Sequence, residues 1–269
     1  MLKKEDYEEP CCPLQTPGEP TPIPVRRVIG KLDEYLNAED YPSAERHLCY
    51  WLAEAEAGGD RRGKLTILNE QIGFYRKTGR ADEALAAADA ALALAEALDV
   101  GRSVTMGTTL VNAATAYKAF GRAAEALPLY ERAQHLYEHL LPEDDGRLGG
   151  LYNNMALALA DLGEYRRAEA LYRRALDVMA RVPGGEPDMA ITCCNLADLV
   201  AAEVGQEAGE ARIGEWLDRA EALLNAEGVR RDAPYAYVCE RCAPTFGLYG
   251  YFLAERELTE RAAAIRRQK

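Results

Sequence analysis

The side chains of this sequence best able to do chemistry are asparagines, cysteines, histidines and a few basic residues, several of them at fixed intervals. Asn112 and Asn154 stand nine residues before Gly121 and Gly163, and Asn195 takes the same place before Gly205 once one inserted residue is allowed for. Asn69 and Asn153 stand ten before Gly79 and Gly163. A carboxamide carries donors and an acceptor, so a row of them can bond the backbone of an extended chain while ignoring its side chains. Arg76 and Lys118 lie three before Gly79 and Gly121, with Lys77 beside Arg76. Positive charge there suits a carboxylate or a chain terminus.

The cysteines point to less. Cys239 and Cys242 are spaced to give two thiolates to zinc, but a second pair is needed. Cys11-Cys12 would join them only if the tail folded back, and a redox pair would want a strand–helix–strand context. No metal is expected, and Cys49 and Cys193-Cys194 read as small apolar residues. His135 and His139, four apart with Glu131 one turn earlier, could grip a metal but have no third ligand, so they read as a solvated helix face. Neither a phosphate-cradling glycine loop nor a nucleophile elbow occurs. With His47 the chain has three histidines, and no His-centred dyad emerges. No catalysis and no cofactor are expected.

These residues must be held by helices. Gly79, Gly121, Gly163 and Gly205 are spaced 42 apart, the mark of a stacked supersecondary unit. Alanines recur five and twelve after the first three glycines: Ala84, Ala126, Ala168, and Ala91, Ala133, Ala175. Nine after come Ala88, Tyr130 and Tyr172. Apolar spacing on both sides is helical, so each unit reads as helix, tight turn, helix. Alanine columns let helices approach, and the glycine ends the first helix. Ile72 stands where a small residue is expected, which predicts looser packing of that unit. Pro128 falls early in a second helix and removes one backbone bond there.

The run Tyr152-Asn-Asn-Met-Ala156, Leu159, Gly163-Glu-Tyr165, Ala168, Tyr172, Ala175 resembles the tetratricopeptide repeat. The 42-residue unit is similar to kinesin-light-chain-like repeats and bacterial relatives over about 64–225. The resemblance implies an all-α, right-handed superhelical solenoid of antiparallel helix pairs. About six units are expected, at 25–58, 63–100, 105–141, 147–182, 188–225 and 234–269, the outer two degenerate, after a Pro-rich tail at 1–24. It implies that first helices line a concave groove, where Asn69, Asn112, Asn153, Asn154 and Asn195 would form a ladder with Arg76, Lys77 and Lys118 at one end. Peptide-binding relatives, including bacterial pheromone receptors, use asparagines so; caps or interhelix bonds are the structural alternative.

A net charge of −12 argues against a nucleic-acid groove. The first residues have no apolar run of a signal peptide, and no stretch is long enough to span a membrane, so the expectation is a cytoplasmic binding module for a peptide or partner segment. The alternatives are a peptide-responsive regulator without its own DNA-binding domain, and a self-associating scaffold whose groove takes the tail or a second copy. The aromatics Tyr235, Tyr237, Phe246, Tyr249, Tyr251 and Phe252 are expected mostly in the core of the last unit.

Overall fold

A computed structural model describes residues 20–98 and 102–267. Among these are twelve α-helices and no strand. The chain forms two compact units, residues 1–98 and 99–269. In the first, α1 (Val25–Asn37), α2 (Tyr41–Ala57), α3 (Arg61–Lys77) and α4 (Ala81–Ala97) pack each on the next. The second holds α5 (Val104–Ala119), α6 (Ala123–Leu140), α7 (Gly146–Asp161), α8 (Tyr165–Met179), α9 (Glu186–Val204), α10 (Gln206–Leu224), α11 (Ala233–Leu248) and α12 (Phe252–Arg267). There α5 packs on α6 and α7, α7 on α8 and α9, and α9 on α10 and α11. The architecture is an all-α repeat solenoid.

The turns inside the pairs share one device. Gly79, Gly121, Gly163 and Gly250 have φ of 73°, 77°, 75° and 85°, the left-handed region where only glycine escapes a Cβ clash. The residue after each glycine donates its N–H back to the residue four before it: Arg80 to Tyr75, Arg122 to Tyr117, Glu164 to Leu159, Tyr251 to Phe246, all 2.9 Å. That bond closes the helix end. The first pair makes the same bond, Asp40 to Tyr35, with Glu39 at φ 55°. Gly205 departs: at φ 87° and ψ 155° it is the whole link between α9 and α10. Between pairs, Asp60, Ser103, Asp145 and Asp232 cap the next helix by accepting a backbone N–H, as Asp40 does within the first pair.

Every alanine of the two columns is fully buried. Ile72 is 1% exposed, so its unit is not loosely packed there. The reason is a trade of size. Where the next two pairs place Ala114 with Tyr130 and Ala156 with Tyr172, the pair around Gly79 places Ile72 with Ala88. The buried face of α4 is alanine throughout (Ala84, Ala87, Ala88, Ala91, Ala95), and the bulk sits on α3 instead.

A second glycine column also exists. Gly107 and Gly149 are 42 apart in the first helices. The Tyr137 ring lies over the first and Met179 Sδ over the second. Both are close approaches a methyl group would block.

Of the tail, residues 1–19 and with them Cys11-Cys12 lie outside the described residues. Thr21 N–H donates to Gly58 O at 2.8 Å and Ile23 N–H to Asp60 Oδ2 at 2.9 Å. Ile23 is buried over Gly63. This short extended segment is thus bonded to the α2–α3 turn.

Candidate functional site on the first-helix face

The second unit has a cleft of about 280 Å³ whose walls come from the first helices of three pairs, α7, α9 and α11. Asn153 and Asn154 face it from α7, Thr192 and Asn195 from α9, and Tyr237 and Arg241 from α11.

The asparagines do different jobs. Asn153 Oδ1 accepts from Asn195 Nδ2 at 2.9 Å and from Thr192 Oγ1 at 3.2 Å. Asn195 is only 9% exposed, so its amide is spent on tying α9 to α7. Asn154, half-buried in the same wall, has no hydrogen-bond partner among the described residues. Arg241 is exposed and forms no ion pair there either. The cleft therefore offers the Asn154 amide, the Arg241 guanidinium and the carboxyl of Asp188, which burial raises above its usual range, on a wall held rigid by Asn153, Asn195 and Thr192. Gly150 is on the same wall in mid-helix, and a β-carbon built on it would touch nothing within 4 Å.

Arg241 was legible and overlooked. It stands nine before Gly250, the offset of Asn112 and Asn154. The step from Gly205 to Gly250 is 45 residues, which hides it from a search at 42. The same offset in the first unit holds Glu70. Burial, and then the nearby negative charge of Asp33, raise the Glu70 carboxyl above its usual range.

The other expected site residues are dispersed. Asn69 in α3 donates to Leu65 O of its own helix at 2.9 Å. Asn112 is half-buried in α5. Lys118 pairs with Asp161 at 3.3 Å, joining the ends of α5 and α7. Lys77 lies over the Tyr41 ring, 5.6 Å from its centre, and Arg76 is exposed.

Cys193, Cys194, Cys239 and Cys242 are buried free thiols. Burial pushes the Cys193 thiol up to about 12. The hydrogen bond with Cys242, then burial, push Cys194 up as well. Such thiols stay protonated and are poor metal ligands. No group of three or more His, Cys, Asp or Glu that could hold a metal occurs among the described residues. His135 and His139 stack at 4.4 Å on an exposed face, His139 Nδ1 bonded to His135 O.

The aromatics near the C-terminus correct the core expectation. Tyr235 and Phe246 are core, but Tyr237 is 55% and Phe252 67% exposed, with Tyr249 and Tyr251 half-buried. The last pair has no further helix pair to cover it among the described residues.

A family model for the tetratricopeptide repeat matches residues 63–139 and 148–208, more than half of the chain. The chain belongs to the tetratricopeptide repeat family. Solved structures similar to this tetratricopeptide repeat protein include the nearly identical repeats of a putative kinesin light chain of Podosopora anserina, at 18% identity and a TM-score of 0.54, covering 76% of this chain and 96% of that one. BtubC (BKLC) from P. vanneervenii is 20% identical with a TM-score of 0.50, covering 92% of each chain. At these identities the likeness speaks for the fold. No curated protein matches the sequence. Tetratricopeptide repeats are in general protein–protein interaction modules, and no described helix is long and apolar enough to cross a membrane.

Proposed function

We propose that this tetratricopeptide repeat protein is a cytoplasmic binding module, not an enzyme, which holds an extended segment of a partner protein on the first-helix face of its second unit. The observation that carries this reading is the split between the two neighbouring asparagines. Asn153 is consumed in bracing α7 against α9, while Asn154 lines the cleft without a hydrogen-bond partner among the described residues, beside Arg241, whose charge acts on Asp198 but which forms no ion pair among them. A polar group left without a partner in a cleft is matched when a chain with backbone donors and acceptors lies there. The open shelf at Gly150 lets that backbone come close. Free thiols suit a reducing compartment, and a net charge of −12 does not suit nucleic acid.

The test is selection of a phage-displayed random peptide library on the full chain, followed by affinity measurement of the enriched peptides. Asn154→Ala with Arg241→Ala should weaken them by about tenfold or more with an unaltered melting temperature. A library that yields no binder, or binders indifferent to both changes, would sink the reading.

A further inference from the structure

In the second unit, the edge at the turns inside the pairs carries a second feature, with a lining separate from that of the first-helix cleft. In three pairs the turn holds its own ion pair, one and four residues after the glycine: Arg80 with Glu83, Arg122 with Glu125, and Glu164 with Arg167. Two of those arginines also lie over the tyrosine four before the glycine, at 4.8 Å for Arg80 on Tyr75 and 4.6 Å for Arg122 on Tyr117. Those two turns therefore supply a cation, a ring to hold it and an acid to neutralise it, while the third has Leu159 in the place of the ring.

The first pair departs, with Asp40 and Ser43 at these places, and the last two pairs depart together. Their equivalent positions are Gln206 and Gly209, and Tyr251 and Ala254. Tyr251 takes the arginine's place and packs edge-on to Phe246 at 6.0 Å. The cation is gone, but the acids are not. Glu207 and Glu210 line a pocket of about 470 Å³ with Tyr249, Tyr251, Ile213 and Gly214. Neither glutamate forms an ion pair among the described residues, nor do Asp218 and Glu221 farther along α10. Burial, and then the charges of Asp218, Glu210 and Glu221, push the Tyr251 hydroxyl up. Tyr249 is fixed by its hydroxyl, which donates to Asp198 Oδ1 at 3.0 Å, and Tyr251 OH rests over Gly214.

Beside the pocket the chain exposes large apolar side chains: Leu248 (65%), Phe252 (67%) and Leu253 (71%). The positions of Leu248 and Leu253 are solvent-facing in earlier pairs too, where they hold Lys77 and Asp82, Ala119 and Ala124, Asp161 and Arg166. The apolar residues are thus a choice of sequence at this edge, beyond the loss of a covering pair.

We propose that this edge binds a basic, apolar-flanked segment of a partner protein, whose lysine or arginine enters the Tyr249–Tyr251 pocket and faces Glu207 and Glu210 while its apolar neighbours cover Leu248, Phe252 and Leu253. A guanidinium over a tyrosine ring with an acid alongside is the arrangement the chain builds for itself at Arg80 and Arg122. Here the cation comes from outside, and the sign of the charge selects it. Glutamates without a cation beside exposed apolar groups disfavour a second copy of this acidic chain.

Fluorescence anisotropy with a fluorescein-labelled, end-blocked peptide Leu-Arg-Leu-Lys-Leu tests this on the full chain, against the same peptide with glutamate for both basic residues. The basic peptide should bind and the acidic one should not. Glu207→Gln with Glu210→Gln should weaken binding about tenfold, as should Tyr251→Ala; Phe252→Ser with Leu253→Ser should weaken it without changing the melting temperature. Asn154→Ala alone should leave it unaltered, which separates this site from the cleft. Equal binding of the acidic peptide, or none up to about 1 mM, overturns the proposal. So does sedimentation showing a dimer that Leu253→Glu makes monomeric, since the edge would then belong to a second copy.

Discussion

The Tyr137 ring covers Gly107 so closely that a β-carbon on that glycine would stand 2.7 Å from Tyr137 Cδ1. The same relation recurs one repeat later with a flexible residue, where the β-carbon of Gly149 would stand 2.5 Å from Met179 Sδ. Next to it, Gly150 has open space. Three alanine substitutions should then have three outcomes. Gly107→Ala must displace a rigid ring that is hydrogen-bonded to Thr108 at 2.9 Å, and should cost about 1–3 kcal/mol. Gly149→Ala meets the end of a flexible thioether and should cost less. Gly150→Ala removes a helix-interior glycine and should stabilise by about 0.5–1 kcal/mol, while weakening any peptide held in the cleft. Urea unfolding and peptide titration of the same three proteins check all of this.

The size trade in the first unit predicts coupling. Ile72→Ala should cost about 2–5 kcal/mol by leaving a cavity, and Ala88→Tyr should be destabilising by overpacking. Combined, they recreate the alanine–tyrosine pairing of Ala114 with Tyr130, and the double variant should be more stable than the sum of the singles by about 0.5–3 kcal/mol. A strictly additive result would mean that the two positions do not share space.

Asn153→Ala and Asn154→Ala should separate, although the residues are adjacent. The first strips the nearly buried Asn195 amide of its acceptor, while Thr192 keeps Asp188 O at 3.0 Å, and should lower stability by about 1–3 kcal/mol. The second removes no hydrogen bond among the described residues and should leave the melting temperature unchanged. Thermal unfolding of the two variants is the measurement.

His47 predicts a pH dependence. It is 3% exposed in the first unit, with Nε2 2.9 Å from Val28 O, which assigns the proton to that nitrogen, and a buried Nδ1 without a partner. Burial lowers its pKa from 6.5. Below about pH 6.5 the unfolded chain takes up a proton that the folded one refuses, so this share of stability is complete above that pH and is lost as pH falls toward the folded value. His47→Gln should remove the corresponding slope between pH 7 and pH 5 (a range set by the ordinary histidine pKa of about 6.5). Equal slopes in both proteins would show that His47 does not titrate with folding.

The sequence by itself determined the helix pairs, their turns and their buried columns. A turn glycine at positive φ and alanines between close helices are local or near-local demands, and they recur because each pair meets the same neighbours. Gly79, Gly121 and Gly163 were legible for that reason, and so was the core role of Tyr130 and Tyr172. Only the tertiary structure decided which polar residue is spent and which is left over. Asn153 and Asn154 are of one type and each recurs at the repeat spacing, so neither offset by itself marks the one that is spent, but a helix turns by about 100° per residue. That rotation aims one amide at Asn195, 42 residues away, and the other into the cleft. Arg241 enters the same wall because α11 packs on α9, and Ile72 fits because α4 opposite it is alanine. These are pairwise outcomes across helices, and no single column of the repeat contains them.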